Sequence, residues 1–285
     1  MIWSVAKRNL KLYFRDRTSV FFSLLGVLII IGLYILFLSN VILGDLKGVP
    51  GARFLMDSWI MAGTLGVASI TTTMGAFGIM VEDRTKNIIK DFSASPIKRP
   101  TLVGGYILGT FIIGMIMTLI TFVLAEVYIV AYGGEWVSLI ALFEILGIML
   151  LSVISSTSIV FFIVSFFKSN SAFGTASTIL GTMIGFLTGI YIPIGSLPEG
   201  VQNVIKVFPV SHAGALFRQV MMQAPLDKVF AGAPASQAES FKVSMGVVYQ
   251  FGDQLTTPTF SIIVLTVTTV VFFLLATLNV SRKRR

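Results

Sequence analysis

Six long apolar runs, separated by clusters of charge, dominate the sequence, and each is long enough to cross a membrane. A bilayer core needs about 20 apolar residues in helical form. The runs cover residues 18–39, 58–81, 102–132, 137–167, 172–193 and 259–280. Charged residues make up only 12% of the 285 residues, about half the share that covers a soluble domain. We therefore predict an all-α integral membrane protein with six transmembrane helices in a single domain, residues 1–285.

Lysine and arginine are distributed unequally over the two sides of this topology. Fifteen of the 21 lie at the N-terminus, between the second and third runs, before the fifth run or in the C-terminal tail, and six lie in the other loops. Basic residues accumulate on the cytoplasmic side of membrane proteins, so we predict that both termini are cytoplasmic, at the cell membrane. Because the basic residues border apolar spans, the net charge of +8 does not indicate a nucleic-acid partner.

The chain lacks groups that many enzymes and metal sites require. It has no cysteine and a single histidine, His212, which excludes disulfides, thiolate chemistry and multi-histidine metal sites. It also has no GxxxxGK[ST] loop, so it cannot bind ATP in the P-loop manner. We predict no catalytic centre, metal site or cofactor on this chain, and we interpret His212 as a structural residue.

The segment before the first span, residues 1–17, has the pattern of an amphipathic helix lying at the inner membrane interface. Its apolar residues recur at spacings of three and four: Trp3, Ala6, Leu10, Tyr13 and Phe14. Its cations line another face, with the charges toward lipid phosphates: Lys7, Lys11 and Arg15. A simple cytoplasmic anchor would account for the charges alone, but not for the continuous helical pattern.

A second charged segment, residues 82–100, follows the second span on the same side. Glu82 and Lys86 stand four apart in the favourable order, which predicts that a short helix continues past the membrane until Ser93 and Pro96 end it. The same helix carries an apolar patch: Ile88, Ile89 and Phe92. Such a patch indicates either a docking element for a partner protein or a segment that folds back onto lipid or the N-terminal helix.

The longest loop, residues 194–258, is predicted to be external and to begin with two short apolar helices, residues 199–208 and 211–223. Pro198 stands at a helix start, Pro209 separates the helices, and Ser211 is a candidate N-cap. These helices are too short to span, so they suit a re-entrant or interfacial hairpin. The hairpin is interpreted either as a packing lid or as an external gate. Residues 224–257 are polar enough to lie in water.

Three segments in this order resemble the permease subunits of ABC-2 type exporters, the type V (G-like) transporters. They are KRNLKLYFRDR before the first span, VEDRTKNIIKDFSASPIKRPTLVGGYILG at the charged loop, and IPIGSLPEGVQNVIKVFPVSHAGALFRQVM after the fifth span. The ordered set, which covers the whole chain, is more specific than any one motif. This chain departs from many members at Thr85, Lys86 and Asn87, where a glycine commonly follows the acidic residue.

The resemblance implies roles for particular residues. Residues 4–15 would form a connecting helix, with the cations Lys7, Arg8, Lys11 and Arg15. The contacts with a separate ABC ATPase, which would bind ATP and Mg²⁺, would come from Glu82, Asp83, Arg84, Lys86, Ile88, Ile89 and Phe92. The external gate would include Pro198, Pro209 and Arg218. Family members pair as dimers, and the second and fifth spans would line the substrate path with Thr72, Thr73, Met74, Phe77, Thr178, Thr182 and Phe186. Close helix packing is the alternative explanation for the small residues among them.

Two glutamates lie inside apolar runs, where an unpaired carboxylate is expensive. Glu126 and Glu144 each lie six residues from the short turn between the third and fourth spans, so both are expected at similar depth. They are interpreted as a facing pair that couples the hairpin to transport, with Arg218 as an alternative partner. A further alternative is that both simply extend toward the interface.

These observations favour a permease subunit of an ATP-driven exporter that moves a hydrophobic or amphipathic compound outward. A drug, an antimicrobial peptide or a lipid fits this description, as in multidrug efflux or antibiotic resistance. Export of a lipid-linked polysaccharide is the alternative within transport. An ATP-independent channel, a membrane scaffold and a membrane-embedded enzyme are alternatives of other classes. The sequence leaves open whether the second permease is another copy or a homologue.

Overall fold

The computed structural model describes residues 1–38, 49–94 and 97–282. It begins with α1 (Ile2–Arg15) and α2 (Arg17–Leu33), which a π-helical segment, Tyr34–Leu38, extends. The middle of the chain forms α3 (Ala52–Thr85), α4 (Ile88–Ala94), α5 (Arg99–Ala131), α6 (Leu139–Val164) and α7 (Asn170–Leu187). A 3₁₀ turn, Ile194–Ser196, then precedes α8 (Glu199–Val207), α9 (Pro209–Met221), α10 (Gln223–Val229) and α11 (Ala235–Ser244). A two-stranded antiparallel hairpin, β1 (Gln250–Phe251) and β2 (Gln254–Leu255), leads into α12 (Pro258–Arg282).

Four helices are long and apolar enough to cross a membrane: α3, α5, α6 and α12 as far as Val280. A fifth span results if α1 and α2, bent by 63° against each other, are taken together. The all-α multi-pass membrane architecture is thereby confirmed, while the count of six and the insertion of the hairpin stay predictions. The 18-residue helix α7 is not among the four, because glycine, serine, threonine and an asparagine dilute its apolar residues.

Some sequence predictions fall outside the described residues. The first apolar run ends there, at Ser39, and so do the predicted helix breaker Pro96 and the last three basic residues of the tail.

The helix α3 is the centre of the fold. Its 34 residues span about 50 Å, and 78% of its most apolar window is buried, against 22% for α12. It extends beyond the predicted 58–81 at both ends, because polar residues at each end are covered by other elements of the protein. It packs most extensively against α2, α5, α6, α7 and α9, and its ends also meet α1, α4 and α10. The side chains of Trp59 and Phe77 are fully buried on it.

Glycines allow the helices around α3 to approach closely. A Cβ atom built on Gly105 of α5 would lie 2.4 Å from the Cβ of Val5 on α1. On Gly114 it would lie 2.8 Å from side-chain atoms of both Thr73 and Val153. Small residues at helix crossings are typical of membrane bundles, where packing drives association. The first half of α5 therefore serves as a platform for the N-terminal helix.

The two short helices of the predicted hairpin, α8 and α9, lie close to the predicted limits. Pro198 is the N-cap of α8, and Pro209 occupies the first turn of α9. The capping role predicted for Ser211 is wrong: because α9 begins at Pro209, the hydroxyl of Ser211 lies within the helix and donates to Ile205 and Phe208 carbonyls, both at 2.5 Å. The part predicted to lie in water contains α10, α11 and the β-hairpin. We call the end of the bundle with α1 and α4 the basic end, and the end with α8 and α9 the hairpin end.

The packing of α1 against α5 can be tested with two glycines. We expect Gly105→Ala to lower stability by about 1–3 kcal/mol, because the added methyl group overlaps Val5. Gly147→Ala is the matched control, since Gly147 also lies within a spanning helix but a Cβ added there would meet no atom within 4 Å. That variant should gain about 0.5–1 kcal/mol from helix propensity. Unfolding in detergent micelles measures both, and equal effects would contradict the close packing.

Candidate functional site

The charged segment at the basic end forms two helices, which corrects the single helix expected over residues 82–92. The first four residues of that range belong to the end of α3, and α4 starts at Ile88 after a break. At the break Asn87 has a φ of +59°, a left-handed conformation that glycine adopts freely and asparagine more readily than most residues. Asn87 thus makes the turn between α3 and α4.

An ion pair between a half-buried arginine and a buried aspartate joins this segment to the N-terminal helix. The guanidinium of Arg8 on α1 donates to both carboxylate oxygens of Asp83 on α3, at 2.7 and 3.0 Å. The hydroxyl of Tyr106 on α5 donates to the same carboxylate at 2.5 Å. Asp83 is only 3% exposed, and its hydrogen bond raises the pKa of the Arg8 guanidinium. The carboxylate therefore holds three helices together at one point. The Arg8 guanidinium also lies 5.4 Å from the ring centre of Phe92 on α4.

The next residue, Arg84, ties the end of α3 to the other side of the bundle. Its guanidinium donates to the carbonyl oxygens of Val164 and Phe167, at 3.0 and 3.3 Å. These carbonyls lie at and after the end of α6, where helix carbonyls lack partners and favour a cation. The hydroxyl of Thr85 donates to the side chain of Asn170 at the start of α7, at 3.3 Å. The end of α3 is thus connected to α1, α5, α6 and α7.

The residues assigned to ATPase contact separate into inward and outward groups. Asp83 and Arg84 face the bundle and bond within this chain, and their contact with an ATPase stays a prediction. The apolar patch is partly buried, and Ile89 and Phe92 pack against the core, in agreement with the fold-back alternative. The exposed charged side chains of α4 and of the residues just before it are Glu82, Lys86, Lys90 and Asp91. Lys90 and Asp91 were missed, because the prediction emphasised the apolar patch.

The connecting helix α1 presents its cations as expected, with one correction. Lys7, Lys11 and Arg15 are exposed, whereas Arg8 is drawn inward by Asp83. Trp3 was assigned to the apolar face but is 57% exposed, beside Lys7. The packed face of α1 has instead the residues Val5, Ala6, Asn9 and Tyr13. Asn9 can be buried because it accepts a hydrogen bond from Arg8 at 3.2 Å.

The residues assigned to the substrate path do not come together within this chain. The four on α3 are buried: Thr72, Thr73, Met74 and Phe77. The two threonine hydroxyls donate to carbonyls of their own helix at 2.7 and 2.9 Å, so they are satisfied without a further partner, and their place on a substrate path stays a prediction. The three on α7 lie at the surface: Thr178, Thr182 and Phe186. Hydropathy does not distinguish these faces, because both helices mix small and apolar residues.

At the hairpin end, Arg218 of α9 is fully buried and bound to three separate segments. It donates to the carbonyls of Gly189, after α7, at 3.2 Å and of Gly246, after α11, at 3.3 Å. Its guanidinium also lies 4.9 Å from the ring centre of Trp59 on α3. Burial lowers the pKa of Arg218 to about 10, so it remains a cation at neutral pH. Arg218 therefore fastens α9 to its surroundings.

The two intramembrane glutamates have different environments, so the predicted facing pair is not formed among the described residues. Glu126 is 3% exposed, and its Oε2 accepts from the backbone N–H of Val137 at 3.1 Å. Glu144 is exposed on α6. The contacts of Arg218 are to carbonyls and to Trp59, so neither glutamate is its partner. Glu126 instead holds the turn between α5 and α6.

A buried carboxylate that the sequence analysis missed lies at the hairpin end of α3. Asp57 is 1% exposed, accepts from the hydroxyl of Tyr34 at 2.6 Å, and pairs with Arg53 at 3.6 Å. Asp57 stands one residue before the predicted span and so was counted with a loop. The signal that could have revealed it is Arg53 four residues earlier, the spacing of a helical ion pair.

His212 has the structural contacts expected of it. Its ring nitrogens contact the carbonyl of Lys206 at 2.8 Å and the hydroxyl of Ser261 at 3.0 Å, which joins α8, α9 and α12. Burial lowers the pKa of His212. Within residues 1–38, 49–94 and 97–282, no cluster of three or more acidic or histidine side chains has the arrangement of a metal site.

The ion pair at Asp83 can be tested against its neighbour in sequence. We expect Asp83→Asn to cost about 1–3 kcal/mol of stability, because it leaves the Arg8 cation without its partner. Breaking an ion pair whose two groups are both fully buried would cost more, but the Arg8 side chain is partly exposed. Glu82→Gln also replaces a carboxylate by an amide, one residue earlier, where the carboxylate forms an exposed pair with Lys86. It should lower stability much less. Unfolding in detergent micelles measures both. Equal stabilities for the two variants would show that the Arg8–Asp83 pair does not hold α1.

Comparison with known proteins agrees with this architecture. Residues 52–278 match the model of the ABC-2 family transporter proteins, a range that runs from the start of α3 into α12. Among curated proteins, nodulation protein J of Rhizobium meliloti (strain 1021) is 23% identical over 188 residues, which are 66% of this chain and 68% of that protein. The chain therefore belongs to the ABC-2 family of transporter proteins, the membrane components that work with an ABC ATPase subunit.

Proposed function

We propose that this chain is the permease subunit of an ATP-driven exporter that moves a hydrophobic or amphipathic compound outward. The basic end faces the cytoplasm in this proposal, and ATP and Mg²⁺ bind to a separate ATPase chain. Family membership supports a transport role, and the lack of a P-loop sequence supports a separate ATPase. The distribution of Lys and Arg supports the orientation.

The observation that carries the proposal is the set of bonds at the end of α3. Asp83 and Arg84 connect it to α1, α5 and α6 by charged hydrogen bonds. Only two residues separate it from α4, whose charged side is exposed. A partner that pushes on α4 would therefore displace the end of α3 together with its neighbours. This is the mechanical requirement for coupling ATP hydrolysis on another chain to a membrane helix.

In this proposal the transport path lies between this chain and a second permease. Helix α7 is exposed along most of its length, and nothing lies within 4 Å of a Cβ built on Gly174 or Gly181. Small residues on an open helix face are typical of helix pairing in membranes. The same face carries Thr178, Thr182 and Phe186 and no charge. Two such faces would enclose a path suited to an apolar or amphipathic compound, and the single aromatic side chain favours this over a polysaccharide path lined by aromatics.

Charge reversal at the exposed side of the basic end tests the coupling. We expect Glu82→Lys to lower recovery of a co-expressed partner ABC ATPase by about tenfold on co-purification, because the substitution reverses one charge of the proposed docking surface. Glu239→Lys is the matched control, an exposed glutamate at the hairpin end that should leave recovery unchanged. If neither variant reduces recovery, this surface is not the docking site. Ion flux through vesicles that hold the purified chain alone would favour the channel alternative.

The absence of cysteine makes the pairing of α7 testable by cross-linking. We expect Thr178→Cys to form a disulfide between two copies under mild oxidation, because the exposed faces would meet there. Thr266→Cys on α12 is a close control. Both threonines are exposed, and each hydroxyl bonds to the carbonyl four residues before it. Equal cross-linking of the two variants in membranes would indicate random collision and contradict a specific α7 interface.

A further inference from the structure

A shallow groove runs along the exposed side of α1 at the basic end. It is an open depression of the surface, since every residue that lines it belongs to α1. Six of its lining residues are Trp3, Lys7, Arg8, Lys11, Leu12 and Arg15. Trp3, Lys7, Lys11 and Arg15 follow at steps of four residues, and Arg8 and Leu12 stand four apart beside them, so all six share one side of the helix. We call this set the α1 row.

The helix that carries the row is held rigidly from behind. Its packed face meets α5 at Gly105 and Gly109, where a Cβ would lie 2.4 Å from Val5 and 3.2 Å from Asn9. The hydroxyl of Tyr13 donates to Ser23 of α2 at 2.6 Å. A ligand of the α1 row would therefore meet a helix whose backbone is already fixed, so no helix has to be ordered on binding.

The charge of the row is unbalanced. Its lining residues include four cations and no acid. Within the described ranges, Arg8 is the one of these four cations that forms an ion pair, and its partner is Asp83. A guanidinium has five N–H donors, and three hydrogen bonds of Arg8 go to Asn9 and Asp83. Donors remain for another anion beside Lys7 and Lys11.

The row also has apolar parts. Trp3 is 57% and Leu12 is 40% exposed, next to the lysines. Tryptophan beside lysine at the end of a membrane bundle is typical of the lipid headgroup region. An acidic protein surface would satisfy the cations, but it would leave these two apolar side chains against a polar partner. A phosphate with a hydrocarbon chain attached satisfies both.

We infer that the α1 row is a binding site for an anionic phospholipid of the adjacent leaflet. The phosphate lies among Lys7, Arg8 and Lys11, with Arg15 adding charge, and the acyl region covers Trp3 and Leu12. Guanidinium and ammonium groups bind phosphate by charge-assisted hydrogen bonds. This site goes beyond the proposed exporter function and is tested on the permease chain alone.

The experiment measures which lipid stays with the protein. The purified chain is reconstituted in vesicles of phosphatidylcholine with a minority of phosphatidylglycerol of the same acyl chains, then extracted in mild detergent and examined by native mass spectrometry. We expect the unaltered chain to retain phosphatidylglycerol in excess of its share. We expect the double variant Lys7→Gln/Lys11→Gln to retain more than tenfold less phosphatidylglycerol, because each lysine strengthens binding by about fivefold.

Two further variants distinguish a specific lipid-binding site from general electrostatic attraction between the basic end and anionic lipid. Lys98→Gln/Lys168→Gln removes the same charge from exposed residues at the same end and should retain the lipid. Lys7→Arg/Lys11→Arg should restore it. Thermal unfolding of all variants verifies that they are folded.

Three results would overturn the inference. The first is equal retention by the unaltered chain and Lys7→Gln/Lys11→Gln, and the second is equal loss in both glutamine variants. The third is displacement of the lipid by soluble glycerol 3-phosphate at matched concentration, which would identify the site as one for free phosphates. Loss of ATPase binding by Lys7→Gln/Lys11→Gln in pure phosphatidylcholine would assign the row to a protein partner instead.

Discussion

A carboxylate buried at the end of a membrane helix must have a partner, and much of this structure depends on how that requirement is met at Asp83. The carboxylate accepts from Arg8 and Tyr106, so α1 and α5 are fixed to the end of α3. In a medium of low dielectric constant such bonds are strong, and the loss of either partner leaves an expensive charge. The glycines of α5 make the arrangement feasible, because α1 must come close for Arg8 to reach Asp83.

The same physical requirement recurs at the hairpin end with opposite polarity. There the buried group is a cation, Arg218, and its partners are carbonyls of two turns and the face of Trp59. Asp57 adds a buried carboxylate satisfied by Tyr34 and Arg53. The middle of α3, by contrast, is held by small residues and by neutral hydroxyls, and the Ser69 hydroxyl bonds to those of Ser152 and Ser156 on α6 at 2.9 and 3.1 Å. Charged hydrogen bonds are therefore concentrated at the two ends, and close packing with neutral hydrogen bonds holds the middle.

Hydropathy and charge spacing were sufficient to predict the long helices, the amphipathic helix before the first span, the charged segment at the basic end and the pair of short helices at the other. These properties depend on the composition of one segment at a time. The direction of a side chain depends on several segments at once. Asp83 and Glu82 are adjacent acids in the sequence, but only one faces α1. Thr72 and Thr178 both lie on helices assigned to the substrate path, yet one is buried and the other exposed. Periodicity within α3 could not show this, because nearly all of its sides are covered.

The length of α3 has a consequence for how motion crosses this protein. A continuous helix of about 50 Å acts as a lever, and its two ends are gripped by arginines from different helices. A tilt of about 5° around its packed middle would displace either end by about 2 Å in opposite directions. At the hairpin end such a tilt would strain the contacts of Trp59 with the Met245 carbonyl and with the Arg218 guanidinium. Movement at the basic end would then be transmitted to the hairpin end without any change inside the helix that joins them.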